Sequence, residues 1–380
     1  MKMTAGWKQM AAGVRRAGSL TCVFIMLAYF VVSGCAARAA TATTGVENWI
    51  SLSLRHDGRQ RTYHLYIPPE YTDGGSSGTE GKPEDLPAPA WPLVLLLHAD
   101  GSNGREYAEV SGMNTLARQA GFIALYADAA GEKAEWNALG IKDDLPDDLG
   151  FLKRLVDEVR RAYRIDEKRI YLIGHAAGGM MGYRLVVEYP RLFAAIATAG
   201  ASMGVRHQSG SPGENYILTV PPPKHPVSVL AFHGEADKVI PYDGRPPIFG
   251  SGEGYLSAAE SIQLWVAANR CREVPKRETS HDGLVIEETY SGGTGGTEVV
   301  LVTIKKGGHA WPESQEAAEA GAPVLKAGEM IWEFFAAHPL VAPPLNINEE
   351  IKRLPPWFTA LLIVAGFIIF RTLLRKALHR

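Results

Sequence analysis

Short apolar runs alternate with amphipathic segments through the middle of the chain. The runs Leu93–Leu97, Phe122–Tyr126 and Ala194–Ala199 have the length and composition of strands buried on both faces. Between residues 151 and 163 the apolar positions recur at helical spacing, which predicts a helix that covers one face of a sheet. These positions are Phe151, Leu152, Leu155, Val156, Val159 and Tyr163. Strands that alternate with helices indicate an α/β protein with a doubly wound, mostly parallel sheet.

Turn residues predict two hairpins, one near each end of this pattern. Asp57-Gly58 is a favoured hairpin turn and separates the strand-like segments Ile50–Arg55 and Thr62–Ile67. The segments Val285–Tyr290 and Val299–Ile304 flank a glycine-rich turn in the same way. We therefore expect antiparallel strands at both ends of the sheet sequence.

Helices and loops account for most of the remaining chain. Tyr107–Ala120 is predicted as one helix that ends at Gly121, a favourable residue after a helix. A late helix is predicted over Val324–Ala337, with a proline just ahead of it. Ser209–Pro226 and Asp243–Gly254 are predicted as long loops beside the functional site.

Residues 1–35 have the pattern of an export signal. Basic residues as far as Arg16 precede the apolar run Leu20–Val32, which is too short to cross a membrane. The sequence Val32-Ser33-Gly34-Cys35 resembles a bacterial lipobox, which predicts lipidation at Cys35. Cleavage of an ordinary signal near Ala36–Ala40 is the alternative, because small residues are frequent there as well.

The C-terminal part predicts a membrane-spanning helix. A proline-rich linker, 341–356, leads to the nearly unbroken apolar run 357–374, which is long enough to cross a bilayer. The basic tail 375–380 is expected in the cytoplasm by the positive-inside rule. We therefore expect a domain tethered to the inner membrane of a bacterial cell envelope and facing the periplasm or the exterior. A docking amphipathic helix and a sorting tail that is cut off are the alternatives; the run is apolar on every face, which argues against the first.

Composition indicates one globular domain between these two ends. The chain has 380 residues and a formal net charge of −2, so nothing points to a nucleic-acid partner, and a protein partner is unknown. Residues 48–340 suit one large α/β domain. Cys271 is the single cysteine in that segment, so no disulfide within it is possible. The sequence lacks a phosphate-binding loop, and we expect neither a metal nor an organic cofactor.

The segment Ile170–Gly179 carries the most informative pattern. An apolar strand runs into Gly174-His175-Ala176-Ala177-Gly178 and then into a predicted helix, Ala177–Glu188. This is the form of the Gly-x-Ser-x-Gly elbow, in which a sharp turn projects a serine hydroxyl above the sheet. Here the central residue is Ala176, whose methyl group cannot attack a carbonyl or take up an acyl group.

Two residues further along the chain fit the other roles of such a site. Asp237 follows an apolar strand, and His309 follows the strand-like run Val299–Ile304. An imidazole takes the nucleophile's proton, and a carboxylate fixes the imidazole tautomer. The order elbow, acid, histidine is typical of α/β-hydrolases. Taken singly, Asp237 could cap a turn and His309 could be an ordinary surface histidine.

Seven blocks occur in the order found in one known family. The chain resembles the polyhydroxybutyrate depolymerase-like esterases, relatives of feruloyl and acetylxylan esterases, over residues 48–340. The blocks are Arg61–Pro69, Pro92–His98, Asp147–Lys153, Ile165–Gly174, Tyr189–Ile196, Phe232–Asp237 and Gly307–Pro312. The resemblance implies an α/β-hydrolase fold, hydrolysis of carboxylic esters by Ser-His-Asp chemistry, and a small ester or acyl ligand.

The resemblance also assigns site residues. It places the nucleophile position at Ala176, the acid at Asp237 and the base at His309. The oxyanion hole would use the backbone N–H groups of Ala177 and Ala99.

The oxyanion loop departs from the family pattern as well. Where the family usually has His-Gly, this chain has His98-Ala99-Asp100. Ala99 is expected to restrict the backbone, and a carboxylate at Asp100 facing the pocket would oppose a developing oxyanion. Trp136 and Trp311 are candidates for lining a substrate cleft, although a buried tryptophan is as often part of a core.

Three hypotheses follow from the alanine at position 176. The chain could be an esterase in which alanine was introduced, so that the site is silent while its acid and base remain. It could be a natural pseudoenzyme that binds an acyl ligand or a partner protein, which suits the second departure at Ala99-Asp100. It could also use the fold only as a membrane-tethered scaffold. Ser102 and Ser202 lie on loops that could approach the site, but neither has an elbow to position it.

Overall fold

The computed structural model describes residues 48–71, 89–139, 146–208, 216–218, 220–245 and 253–341. The predicted signal 1–35 with Cys35, the linker beyond residue 341, the apolar run 357–374 and the tail 375–380 lie outside these residues. Within the described ranges, no helix combines the length and the apolar character needed to cross a bilayer.

Ten of the described strands form one sheet. These strands are β1 (Trp49–His56), β2 (Arg59–Tyr66), β3 (Trp91–Leu97), β4 (Ile123–Ala127), β5 (Ile165–His175), β6 (Ala195–Ala199), β9 (Ser228–Gly234), β11 (Lys276–Ser280), β12 (Val285–Tyr290) and β13 (Val299–Ile304). They lie in the order β1-β2-β4-β3-β5-β6-β9-β13-β12-β11. The strands from β4 to β13 in this order run parallel, and β1-β2 and β12-β11 add antiparallel pairs at the two edges. A second, three-stranded sheet contains β7 (Val205–Gln208), β8 (Tyr216–Leu218) and β10 (Glu253–Tyr255).

The described helices cover both faces of the large sheet. They are α1 (Gly104–Ser111), α2 (Met113–Ala120), α3 (Asp148–Ala162), α4 (Ala177–Glu188), α5 (Ala258–Asn269), α6 (Gln315–Glu319) and α7 (Ala327–Ala337). Several begin at a side chain that accepts a hydrogen bond from the first turn. Asn103 does so for α1 and Asp147 for α3, whereas Ser257 and Glu260 form a reciprocal capping box at α5.

The core forms two layers because side chains alternate along each strand. Leu93 and Leu95 of β3 belong to the layer under α3, α4 and α5, whereas Val94 and Leu96 belong to the layer under α1, α2 and α7. This arrangement confirms the expected α/β-hydrolase fold with a doubly wound, mostly parallel sheet. At the start of β5 the Leu340 N–H donates to the Lys168 carbonyl (2.8 Å), which holds the end of the described chain at the amino edge of the sheet.

Both predicted hairpins are confirmed, but some elements differ from the prediction. The helix predicted over Tyr107–Ala120 is two helices, because Gly112 has a φ of 65° and breaks it. The late helix begins at Ala327 rather than at Val324. The loops predicted over 209–226 and 243–254 contribute β8 and β10. Strand β11 was not predicted because all of its residues are exposed, which leaves no apolar alternation to detect.

Candidate active site

Ala176 occupies the sharp turn between β5 and α4. Its backbone has φ 50° and ψ −121°, a conformation that a residue with a Cβ adopts only at a cost of about 1–3 kcal/mol. Two backbone hydrogen bonds hold the turn: the Ala176 N–H donates to Ala199 (2.9 Å), and the Met180 N–H donates to Ala176 (3.0 Å). The turn therefore has the strained geometry of a nucleophile elbow, with a methyl group where the elbow carries a hydroxyl.

The glycines of the motif allow the turn to pack against neighbouring backbone. A Cβ on Gly178 would lie 2.3 Å from the carbonyl oxygens of both Leu97 and His98, at the end of β3. A Cβ on Gly174 would lie 2.5 Å from the carbonyl oxygen of Gly178. No side chain fits at these distances, so glycine is required for the elbow to sit directly against the carboxyl end of β3.

His309 and Asp237 form a hydrogen-bonded pair beyond the carboxyl ends of β13 and β9. His309 Nδ1 donates to Asp237 Oδ2 at 2.7 Å. The other oxygen, Oδ1, accepts from the backbone N–H groups of Val239 (2.8 Å) and Ile240 (3.0 Å). The Asp237 side chain is 0% exposed and that of His309 is 23% exposed. The carboxylate therefore fixes the imidazole with Nε2 as the nitrogen that can take a proton.

The surroundings of Asp237 keep it ionised. Burial by itself disfavours the charge, but the hydrogen bond and charge of His309, with the N–H groups of Ile240 and Val239, hold the pKa of Asp237 below its ordinary value. An ionised carboxylate at this position can stabilise an imidazolium that forms on His309.

His175 supports the loop of His309 from inside the elbow. Its Nε2 donates to the backbone carbonyl of His309 (2.8 Å), and the two imidazole rings stack with centroids 5.5 Å apart. Burial lowers the pKa of His175 to about 4 although the hydrogen bond to the His309 carbonyl acts in the opposite direction, so the ring is neutral at ordinary pH. Sequence reasoning did not single out His175, because it occupies a variable position of the elbow motif.

Gly200 was also missed. It has a φ of 55°, and a Cβ there would lie 3.2 Å from His309 Nδ1 and 3.3 Å from Asp237 Oδ2. The glycine therefore leaves room for the pair to form its short hydrogen bond. No local sequence signal points to Gly200, because its approach to His309 depends on β6 lying next to β5 and β9.

The loop after β3 differs from the expectation of restricted backbone at Ala99. Ala99 is not among the described residues with positive φ, so its conformation does not require glycine. His98 Nδ1 donates to the Ala99 carbonyl (2.7 Å) and His98 Nε2 accepts from the Ala129 N–H (3.0 Å). Burial lowers the pKa of His98, which agrees with a neutral ring that holds this loop.

Asp100 belongs to the wall of the site. Its Oδ1 accepts from the backbone N–H of Trp136 at 3.1 Å, and the Trp136 indole N–H donates to the His98 carbonyl at 2.9 Å. Asp100 thus fastens the tryptophan segment to the loop after β3. Ala99 and Ala177 both border the site, and their oxyanion role stays a prediction.

The elbow, the loop after β3, the Trp136 segment and the loops that carry Asp237 and His309 surround a cleft of about 380 Å³. It is lined by Ala99, Asp100, Trp136, Asn137, Ala138, Leu139, Ala176, Ala177, Met180, Val239, Ile240, Tyr255 and His309. The lining is mainly apolar, with His309 and Asp100 as its ionisable side chains other than the phenol of Tyr255. Such a lining suits a small ligand with an apolar group and one polar centre.

The structure separates the two tryptophan candidates. Trp136 lines the cleft as predicted. Trp311 is not among the described residues that line the cleft: its side chain is buried and packs edge-on against Tyr107 and His175, which agrees with the alternative of a core tryptophan.

No serine, threonine or cysteine is among the described residues that line the cleft. Ser202 is buried and donates to the Gly204 carbonyl (2.7 Å), whereas the Ser102 hydroxyl donates to Glu106 (2.9 Å). Neither serine takes the place of the missing elbow hydroxyl.

The chain is similar to known esterases. Residues 83–257 match a family model described as Esterase PHB depolymerase. The chain is 32% identical over 272 residues to a putative esterase, NocK, of Nocardia uniformis subsp. tsuyamanensis. The aligned region covers 67% of this chain and 72% of that protein. It is 27% identical over 225 residues to feruloyl esterase B of Piromyces equi, covering 58% of this chain and 40% of that protein.

Among solved structures, an acetyl xylan esterase from Aspergillus awamori is similar, with a TM-score of 0.48 and 15% identity. The match covers 73% of this chain and 94% of the other. The strand order and the elbow of this chain identify its fold independently of that likeness.

Proposed function

The chain belongs to the Esterase PHB depolymerase family, and on that premise we propose that its cleft binds a small carboxylic ester or its acyl product without hydrolysing it through a covalent intermediate. One observation carries the proposal. Ala176 occupies the elbow, in the strained backbone geometry that presents a nucleophile, in the same cleft as His309.

The rest of the site retains the parts that ester hydrolysis needs. In an esterase with this arrangement, the elbow serine attacks the ester carbon while histidine takes its proton and later delivers it to the leaving alcohol. His309 and Asp237 keep the geometry for that proton transfer. Without the hydroxyl there is no atom to accept the acyl group, and a rate of about 10³–10⁴ over water is what binding and the oxyanion hole can supply alone.

The test compares the full chain with Ala176→Ser in steady-state hydrolysis of p-nitrophenyl butyrate. We expect Ala176→Ser to turn over at least ~10³-fold faster than the parent. A serine at this position has His309 as its general base, and the elbow presents its hydroxyl to the ester. The matched control combines Ala176→Ser with His309→Gln and should return to the parent's rate. Turnover by the parent that is as fast as that of Ala176→Ser and is removed by His309→Gln would contradict the proposal.

A second candidate is a binding protein whose cleft no longer supports acyl transfer at all. The observation in its favour is the Asp100 carboxylate, which borders the cleft beside the predicted oxyanion position. In this case Ala176→Ser stays inert although it is folded, and butyrate still binds the parent in calorimetric titration. Asp100→Asn, added to Ala176→Ser, should then restore turnover if the charge alone opposes the oxyanion.

We also propose that the protein is exported and held at the cell-envelope membrane by residues 357–374 and a lipid on Cys35. The apolar run, the basic tail and the lipobox-like sequence support this. Fractionation of cells that express the full chain, Cys35→Ser or a chain ending at residue 341 tests it. Both changes together should release the protein from the membrane fraction, and an unchanged distribution would refute the tether.

A further inference from the structure

A serine, a histidine and an aspartate form a hydrogen-bonded chain at the edge of the sheet, outside the cleft. Ser51 of β1 lies directly opposite His64 of β2, and Ser51 Oγ is 2.8 Å from His64 Nδ1. The other ring nitrogen, Nε2, is 3.1 Å from Asp128 Oδ2. A neutral imidazole that donates to the carboxylate through Nε2 presents Nδ1 as an acceptor for the serine proton.

The aspartate and the ring of this chain are held in place. Asp128 Oδ1 accepts from the Gly104 N–H at 2.7 Å, and the His64 ring stacks on Trp49 with centroids 5.1 Å apart. Burial alone would favour the neutral acid, but the hydrogen bonds from His64 and from the Gly104 N–H keep the pKa of Asp128 below its ordinary value. Asp128 therefore acts as a fixed anion behind the imidazole.

The serine end of the chain is open to solvent. Ser51 is exposed on β1, which is the edge strand, whereas the side chains of His64 and Asp128 are only 11% and 19% exposed. A nucleophile needs a reachable oxygen, a base within hydrogen-bond distance and a group that orients the base. The reachable oxygen is that of Ser51, the base is His64, and the group that orients the base is Asp128.

We propose that Ser51 is an acyl acceptor, activated by His64 and Asp128, that reacts with small activated carboxylic esters. Ser51 Oγ forms a bond to the ester carbonyl carbon, and the bond from that carbon to the alcohol or phenol oxygen breaks. The serine proton passes to His64 Nδ1 and from there to the leaving oxygen or to solvent. The products are an O-acylated Ser51 and a free alcohol or phenol, so no further reactant is needed.

The reaction is expected to stop after one acyl group per chain. Ser51 lies on an open strand and not in an elbow above the sheet, so the first step depends on a good leaving group such as a phenol. Hydrolysis of the acyl-serine must expel the poorer serine alkoxide and is therefore slower. The reaction at Ser51 is therefore a burst, whereas hydrolysis in the cleft of Ala176→Ser is sustained. This difference separates the outcome for Ser51 from the outcome for the cleft.

The test uses the full chain, whose elbow has no serine to compete for the label. The protein is treated with p-nitrophenyl acetate, and the acetyl groups are located and timed by peptide mass spectrometry. Ser53 is a matched internal control, since it is exposed on the same strand and bonds to Gln60 rather than to a histidine. We expect Ser51 to be acetylated at least ~10²-fold faster than Ser53, the usual gain from a positioned base.

Variants identify the base. His64→Gln should lower the rate at Ser51 to that at Ser53, while circular dichroism verifies the fold, and Ser51→Ala should remove the p-nitrophenolate burst. Equal rates at Ser51 and Ser53 in the parent would overturn the proposal without any variant. A rate at Ser51 that is unchanged in a folded His64→Gln protein would overturn it as well.

Discussion

The cleft and the sheet edge each hold an aspartate-histidine pair, but they combine it with opposite surroundings. In the cleft, Asp237 is fully buried and His309 borders an apolar pocket, yet the elbow presents only a methyl group. At the sheet edge, Ser51 supplies the hydroxyl, yet the strand is open to water. A proton-accepting pair with a hydroxyl can therefore occur apart from the pocket that binds a substrate.

The largest expected difference between the two regions concerns their carboxylates. In the Ala176→Ser background, Asp237→Asn should lower kcat for p-nitrophenyl butyrate by about 10⁴-fold, because the amide favours the wrong imidazole tautomer. Asp128→Asn should slow acetylation of Ser51 by a smaller factor, because water reaches Asp128 and screens its charge. Steady-state kinetics and peptide mapping measure the two effects, and a larger loss at Asp128 would reverse the comparison.

A glycine lies against each histidine-aspartate pair, and substituting these glycines should give the next largest effects, which are losses of stability. In Gly104→Ala, the new Cβ would lie 2.8 Å from Tyr126 Cβ and 3.0 Å from His64 Cδ2, so we expect a loss of about 1–3 kcal/mol in the free energy of unfolding. Gly200→Ala should cost about 1–2 kcal/mol, because an L-residue is strained at its φ of 55°.

Chemical denaturation of the full chain measures both losses. Gly308→Ala is the control, since a Cβ there has no neighbour within 4 Å and its effect should stay within about 0.5 kcal/mol. If Gly104→Ala and Gly200→Ala are as stable as this control, neither glycine is required by the pair beside it.

The remaining effect is a pH dependence of stability that belongs to the buried histidines behind the cleft. His175 has a pKa of about 4 in the folded protein against 6.5 in a model peptide, so between these values the unfolded chain binds more protons than the folded one. Stability that is fully present above pH 6.5 is therefore lost progressively as the pH falls towards 4. His98 and His233, whose pKa values burial also lowers, contribute in the same direction.

His175→Gln removes one titrating ring and can keep a donor towards the His309 carbonyl. The denaturation midpoint of this variant, measured at pH 7, 5 and 4, should fall less steeply than that of the parent. Parallel curves for the two proteins would show that His175 does not titrate differently on folding.

The sequence predicted those parts of the fold and site that local patterns encode. Helix Ala177–Glu188 was predicted with its correct bounds, because the glycine-rich corner and the apolar residues that follow are consecutive in the chain. The hairpin around Asp57-Gly58 was predicted from its turn residues alone, and in it Ser51 faces His64 because residues equally far from the turn are cross-strand partners.

Other features depend on contacts between distant segments and have no local signal. Asp128 reaches His64 because β4 pairs with β2, and Gly200 reaches His309 because β6 lies next to β5 and β9. The burial of Trp311 beside His175 likewise depends on packing between separate elements. Sequence reasoning identified the residue types of the site more easily than the neighbours that hold them.

The hydrogen bond from Leu340 to Lys168 places the end of the described chain and the cleft at opposite ends of the sheet. Lys168 lies near the start of β5 and the elbow follows its end, and the seven steps between Lys168 and His175 span roughly 23 Å at about 3.3 Å per residue. Residue 340 therefore lies at the amino end of the parallel strands, and the cleft opens at their carboxyl end. A surface or fusion partner attached after residue 340 reaches the cleft opening only by folding back along the length of β5.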